Sequence, residues 1–519
     1  MIGRAAVGTG TNQRGSGVTP NEEPTQSRLG RSMPSREDLR GLMSGSGLIG
    51  RFGYLVLTQG VVVALGLAYW AMTTRLIPAH SVGLAAAAVS TAAFLSALGI
   101  VGISSLLIVE LQRVPETRRR AVVSTGCLVA GVGALALALV TWAVSPFLGH
   151  SLSEIGQHPD QAMLFVAGAA VSTMANVLDA AAIGLRKGPA QLFRNGAASA
   201  FRLGLVIALV SLGARSTTGL LVAWVVSVTL SLFLSPWLLG LSKKASGPTT
   251  FAVRWDIIRG FRSVALRHHA LNLAITSVSF FLPVLAALFL IPREYAYFSI
   301  AQLVSSTVLL LPALLAMSLF AEASGDPSSL KGHVRRTIPI GLGCCIAALA
   351  VVEPAAPQIL GVFGHEYAVH GTTILRLLML AGIPYVIKDH FVAIRRAQDR
   401  LTEAARTVTI ATCFEAAAAA LGAALYGVEG LCGFWVAATI VEAVFFFPVT
   451  WRVIRGEGSQ PTPPAEAIEL PPAPRPDPPS GLGSKKDTGP RPGAVASPEL
   501  EAHPNGANGD RALSKAHPT

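Results

Sequence analysis

Ser81-Val-Gly-Leu-Ala-Ala-Ala-Ala-Val-Ser-Thr-Ala-Ala-Phe-Leu-Ser-Ala-Leu-Gly-Ile-Val-Gly-Ile-Ser-Ser-Leu-Leu-Ile-Val109 runs for 29 residues without an Asp, Glu, Lys or Arg. About 20 such residues cross a bilayer as a helix. Residues 52–74, 121–149, 216–242, 270–292 and 295–321 are equally free of charge. The chain of 519 residues is 51% hydrophobic and only 13% charged, where a soluble domain carries about 25% charged residues. A soluble chain of this length would split into several domains with polar surfaces. The sequence is that of an all-α polytopic membrane protein.

Adding the runs that carry one or two charges gives twelve spans, at roughly 50–74, 82–110, 121–148, 161–185, 195–214, 217–241, 268–292, 295–321, 336–353, 370–394, 407–427 and 429–451. An even number puts both termini on one side, and the basic residues choose the side. The inter-span segments of one side, with Arg452 and Arg455, hold 22 Lys and Arg, including Arg118–Arg120, Lys243, Lys244, Arg395 and Arg396. The other side holds three: Arg75, Arg215 and Arg293. By the positive-inside rule both termini are cytoplasmic. The net charge of +12 is thus a topology signal that meets anionic membrane lipids, and no nucleic-acid partner is expected. Trp142, Trp237 and Trp451 fall near span ends, as interface anchors do.

This frame divides the chain into a cytoplasmic, disordered tail over 1–47, a six-helix bundle over 48–242, a cytoplasmic linker over 243–267, a second six-helix bundle over 268–455 and a Pro-rich disordered tail over 456–519. Residues 457–519 hold 14 of the 33 prolines and too few large apolar residues to fold alone. Phe251-Ala-Val-Arg-Trp-Asp-Ile-Ile-Arg-Gly-Phe261 reads either as an interfacial helix or as a plain linker. The five cysteines sit inside apolar runs and read as buried hydrophobes. No cleavable signal peptide is expected, because the first 45 residues are polar.

Inter-span segments of mostly about 5–25 residues leave no room for a soluble catalytic domain. There is no GxxxxGK[ST] loop, no HExxH and no Cys or His pair at zinc spacing outside the spans. Neither enzymatic chemistry nor a cofactor or metal is expected; transport is. An internal repeat agrees. Arg75-Leu-Ile-Pro78 follows span 1 and Phe289-Leu-Ile-Pro292 follows span 7. Gly184-Leu-Arg-Lys187 closes span 4 and Ala393-Ile-Arg-Arg396 closes span 10. The pattern fits a six-plus-six duplication about an axis along the membrane normal.

Arg75-Leu-Ile-Pro-Ala-His-Ser-Val-Gly83 into Leu84-Ala-Ala resembles the signature after span 1 of polysaccharide flippases. These are the Wzx-like exporters of the multidrug/oligosaccharidyl-lipid/polysaccharide (MOP) superfamily. Ile359-Leu-Gly-Val-Phe-Gly-His-Glu-Tyr367 resembles their element before span 10, Arg395-Arg-Ala-Gln-Asp-Arg400 the basic loop after it, and Pro292-Arg-Glu-Tyr-Ala-Tyr297 the repeat of the first signature. The resemblance covers about residues 48–455 and leaves out the Pro-rich tail. It implies a MATE-like pair of bundles in the plasma membrane. It implies a polyprenyl diphosphate bearing a short glycan as substrate, moved to the outer leaflet for cell-surface polysaccharide or lipopolysaccharide synthesis. Peptidoglycan-precursor flippases usually have fourteen spans, so twelve argues against that role. The alternatives are a multidrug or cation antiporter of the same superfamily and a membrane scaffold for polysaccharide-synthesis enzymes.

A diphosphate crosses hydrocarbon only along fixed cations and enclosed water. The cationic candidates are Arg75, Arg202, Arg267, Arg376 and Lys388. Arg202, seven residues into span 5, either snorkels to the cytoplasmic headgroups or lines the path, and Arg376 poses the same choice from outside. Arg51, Arg267 and Lys388 would ring the cytoplasmic mouth. Candidates for proton or sodium coupling are Glu415, Glu442, Asp179 and Asp389; the alternative for Glu415 and Glu442 is a structural pair with Arg376 or Lys388. Pro283, Pro312 and Pro384 are hinge candidates or static kinks.

Overall fold

The computed structural model describes residues 48–100, 102–241, 278–310, 314, 316, 330–398 and 400–457. Regular structure among them is helical. The helices are α1 (Leu48–Leu76), α2 (Ala79–Gly99), α3 (Ile103–Glu110), α4 (Glu116–Val144), α5 (His150–Gln157), α6 (Pro159–Gly184), α7 (Gly188–Ser211) and α8 (Thr217–Leu238) in the first half. The second half has α9 (Val278–Phe289), α10 (Pro292–Val308), α11 (Leu330–Gly361), α12 (His365–Leu380), α13 (Gly382–Ala397) and α14 (Leu401–Arg455). Every expected span has a helix in its place. Among the described residues eight helices, one of them holding both span 11 and span 12, are long and apolar enough to cross a membrane by length and composition. The tails, the 242–277 segment with Arg267 and the expected interfacial helix, and Pro312 lie outside the described residues.

The chain's punctuation follows its prolines and glycines. Pro159, Pro189 and Pro292 open α6, α7 and α10 in the first turn, where a missing N–H costs nothing. Span 2 divides into α2 and α3 at Gly102, whose φ of 76° is left-handed. Span 10 divides into α12 and α13 at Ala381. Pro384 lies one turn further on and cannot donate to the carbonyl of Leu380. Spans 11 and 12 form one sharply folded hairpin, α14, which reverses at Tyr426 and Gly427 (φ 61°, ψ −141°). The two arms are so close that a Cβ on Gly422 or on Gly430 would stand 2.1 Å from the other's carbonyl oxygen.

The halves meet where the two copies of the repeated motif lie. α2 is the centre of the molecule, packed against α4, α6, α9 and α10, with Val82, Ala87, Ala88 and Ala92 fully buried. Small side chains allow such close approach. A Cβ on Gly83 would lie 1.7 Å from the carbonyl oxygen of Pro292, and one on Gly149 would lie 1.5 Å from that of Leu288. Beside them the buried Ser151 hydroxyl donates to Leu290 O at 2.9 Å. The charge asymmetry of the sequence makes this the outer end. Large apolar side chains such as Phe233 and Phe445, each about three-quarters exposed, form the belt that meets lipid. Trp142, Trp237 and Trp451 are exposed as well.

Candidate functional site

The second half brings three charges from three spans together. Glu415 precedes the Gly427 reversal by 12 residues and Glu442 follows it by 15, so antiparallel arms set them at similar depth, about 20 Å from the turn at 1.5 Å per residue. α13 packs along this hairpin and supplies Lys388. Its Nζ donates to Glu415 Oε1 and, at 2.9 Å, to Glu442 Oε2. The indole Nε1 of Trp435 donates to Glu415 Oε2 at 3.0 Å. The Tyr385 ring lies 5.7 Å from Lys388 Nζ and 5.9 Å from the Trp435 ring. Side-chain exposure is 6% for Lys388, 0% for Glu415 and 5% for Glu442. The partner of the two carboxylates is thus Lys388 and not Arg376, and Lys388 is sealed inside the bundle rather than set in a ring at the cytoplasmic mouth. Asp389 feels the charge of Lys388, but Lys388 spends its hydrogen bonds on the two glutamates. One helical step turns a side chain by about 100°, which separates these neighbours.

The first half holds a different arrangement. Arg202 lies on α7, which begins at Gly188 rather than at residue 195 as expected. It therefore sits 14 residues into the helix, about 21 Å from its start, beyond the reach of a side chain snorkelling to the cytoplasmic headgroups. Its Nε donates to Ser227 Oγ of α8 at 3.0 Å, and its guanidinium stands 5.8 Å from the Tyr69 ring of α1. Among the described residues no carboxylate lies within ion-pair distance of it. Asp179 is compensated: Arg194 meets it at 2.7 Å and the Asn195 amide donates to it at 3.2 Å. Arg194, assigned to a cytoplasmic loop by the sequence, is a helical residue only 4% exposed.

Toward the outer end, Arg75 is exposed in the last turn of α1. Arg376 is 45% exposed on its side chain, and its Nε donates to the carbonyl of Glu353 at 2.9 Å beside that residue's carboxylate. Arg293 Nε donates to the Tyr297 hydroxyl, which donates to Glu366, and this pins the start of α10 to the start of α12. Pro283 continues α9, and Pro384 is buried beneath the α12–α13 break. Sequence reading passed over Trp435, Tyr385, Tyr69, Ser227 and Arg194. Only Arg194 carried a signal, since Gly188-Pro189 is a helix start that an apolar window overlooks.

Three solved structures locate the fold. A multidrug resistance MATE family transporter of the MOP superfamily in an inward-facing conformation is 18% identical, with a TM-score of 0.51 over 80% of this chain and 96% of that one. A MOP superfamily transporter from Pyrococcus furiosus, described by the reversed polarity of its binding pocket, is 17% identical, with a TM-score of 0.55 over 78% and 96%. The lipid II flippase MurJ in an inward closed conformation is 13% identical, with a TM-score of 0.57 over 77% and 89%. No protein-family model matches the chain, and no curated protein sequence does. The fold of this chain is similar to that of these MOP superfamily transporters.

Proposed function

We propose that the protein is a flippase for an anionic lipid-linked substrate, a polyprenyl diphosphate carrying a short oligosaccharide. It moves this lipid from the inner to the outer leaflet of the plasma membrane by alternating access, for cell-surface polysaccharide assembly. The observation that carries this reading is Arg202. A guanidinium halfway along a transmembrane helix, partly exposed, held by a hydroxyl and a tyrosine ring and offered no carboxylate, is a receptor for an anion. Arg75, Arg267 and Arg376 are the further cations that such a substrate would pass, and the repeat-motif contact at Gly83 and Pro292 is the outer gate.

The antiporter reading rests on the carboxylates of the second half. It lacks an acidic residue in the middle of span 1, since residues 52–74 have none. A scaffold would depend on the tails, so removing residues 457–519 separates it from a flippase, which keeps transport.

The test is binding. Replacing Arg202 by Gln removes a charge-assisted contact to a phosphate, worth about 1.5–3 kcal/mol, so affinity for a polyprenyl diphosphate falls by about 10–100-fold. Arg202→Lys restores part of it, and a neutral polyprenol binds both proteins alike. Equal affinity of the Gln variant and the parent for the diphosphate would refute the reading.

A further inference from the structure

We propose that Glu442 carries one exchangeable proton in the second half, with Lys388 and Glu415 as the fixed ion pair beside it. The inference deepens the transporter reading and rests on it only for the use made of the proton.

The charge count comes first. Two carboxylates and one ammonium, each at least nine-tenths buried, leave one negative charge without a counter-ion if all three are ionised. Burying an unpaired charge costs several kcal/mol at least, so a proton or another cation balances it. The hydrogen bonds then say where the proton sits. Glu415 has a donor on each oxygen, Lys388 on Oε1 and Trp435 on Oε2. An indole N–H can only donate, so this surrounding suits an ionised carboxylate. Glu442 is asymmetric: Oε2 accepts from Lys388 at 2.9 Å, while Oε1 is buried and has no partner among the described residues. An unpartnered buried oxygen does not suit a full carboxylate charge, and Glu442 stands within hydrogen-bond reach of the Glu415 carboxylate, which can accept from a protonated Glu442.

A metal ion fits this site poorly. The ammonium of Lys388 already occupies the place between the carboxylates, and no group of three or more His, Cys, Asp or Glu among the described residues could hold one.

Among the neighbouring groups Asp389 is the other carboxyl able to exchange a proton, and Asp389→Asn separates its contribution from that of Glu442. On α13, Tyr385 is a ring contact to Lys388, Asp389 makes no bond to the cluster, and His390 uses both ring nitrogens on Val386 O and Thr337 Oγ1. α9 carries no titratable side chain. Arg376 of α12 and Glu353 of α11 engage each other. In the exchange step the O–H bond of Glu442 breaks, its electron pair stays on the carboxylate, and the proton passes to water. The new negative charge is then shared with Lys388.

Trp435 makes the test possible without any substrate, so the result stands whether or not a glycan is transported. Intrinsic fluorescence of the full chain in nanodiscs is followed from roughly pH 5 to 9, with Trp435→Phe subtracted to isolate that indole. The parent gives a single titration of Trp435 that sodium or potassium at fixed pH does not reproduce. In Glu442→Gln, an isosteric neutral replacement, its amplitude falls at least about five-fold. Infrared difference spectra provide a second readout: the parent loses a neutral carboxyl band on alkalinisation, and that band is missing in Glu442→Gln but kept in Asp389→Asn. A parent with no titration and no such band, a titration that survives in Glu442→Gln, or a response driven by sodium rather than by pH would each overturn the proposal.

Discussion

Replacing Gly83 by Val is expected to abolish transport while leaving a folded, membrane-inserted protein. The backbone of α2 passes so close to the start of α10 that an added Cβ would lie 1.7 Å from the Pro292 carbonyl oxygen. Backbone cannot swing aside as a side chain can, so the halves must part at their outer end. Each bundle keeps its own packing, because the clash lies between the repeats rather than within one. The contact broken with it is the buried hydrogen bond from Ser151 to Leu290 O, and Ser151 becomes the reporter. In a background without the native cysteines, Ser151→Cys is shielded from an impermeant thiol reagent in the parent and labelled in the Gly83→Val protein. Equal labelling in both, with transport intact, would show that the outer contact is not a gate.

The second large effect is on stability. Lys388→Met leaves the buried Glu415 carboxylate, with the protonated Glu442 beside it, without its ammonium. Removing one partner of a buried ion pair costs about 3–5 kcal/mol, and here a single lysine serves both acids. The variant melts well below the parent near neutral pH and recovers as the pH is lowered, because protonation of Glu415 removes the unpaired buried charge. The sign is fixed by the chemistry: the lost cation penalises the ionised form of each carboxyl, so added protons stabilise. Adding Glu415→Gln and Glu442→Gln to Lys388→Met recovers most of the loss at neutral pH. Thermal unfolding of the four proteins across pH checks this. A Lys388→Met protein as stable as its parent would mean that the cluster bears no such charge balance.

The spans were legible because hydrocarbon imposes one dominant rule, the absence of charge over about 20 residues. Nothing but helices satisfies the backbone there. The reversal at Gly427 was placed between spans 11 and 12 from the sequence, and the kink expected at Pro384 coincides with the α12–α13 break. The repeated Leu-Ile-Pro motif marked the two helix starts that meet at the centre. Helix starts with a polar first turn were less legible. α7 opens on Gly188-Pro-Ala-Gln-Leu-Phe-Arg194, so the apolar window began seven residues late, placing Arg194 in a loop and Arg202 too near the cytoplasm. The short α5 over the outer end carries too few apolar residues to register as a span. Partner choice was not legible at all. Lys388 meets carboxylates 27 and 54 residues away, and which of Arg376 and Lys388 does so depends on how three spans pack, information that no single helical period contains. Trp435 had no sequence signal, since an indole in an apolar span reads as one more hydrophobe.

The proposed activity is movement of an anionic glycolipid between leaflets. Its most direct test uses purified protein in liposomes that hold labelled polyprenyl-diphosphate oligosaccharide, with an impermeant glycan-modifying enzyme outside. The protein is expected to make the inner pool accessible to the enzyme, and Arg202→Gln to slow this by about ten-fold or more, the kinetic counterpart of one lost charge-assisted contact. No protein-dependent access across several glycans, with export of a cationic dye by the same preparation, would contradict it and identify a cation antiporter instead.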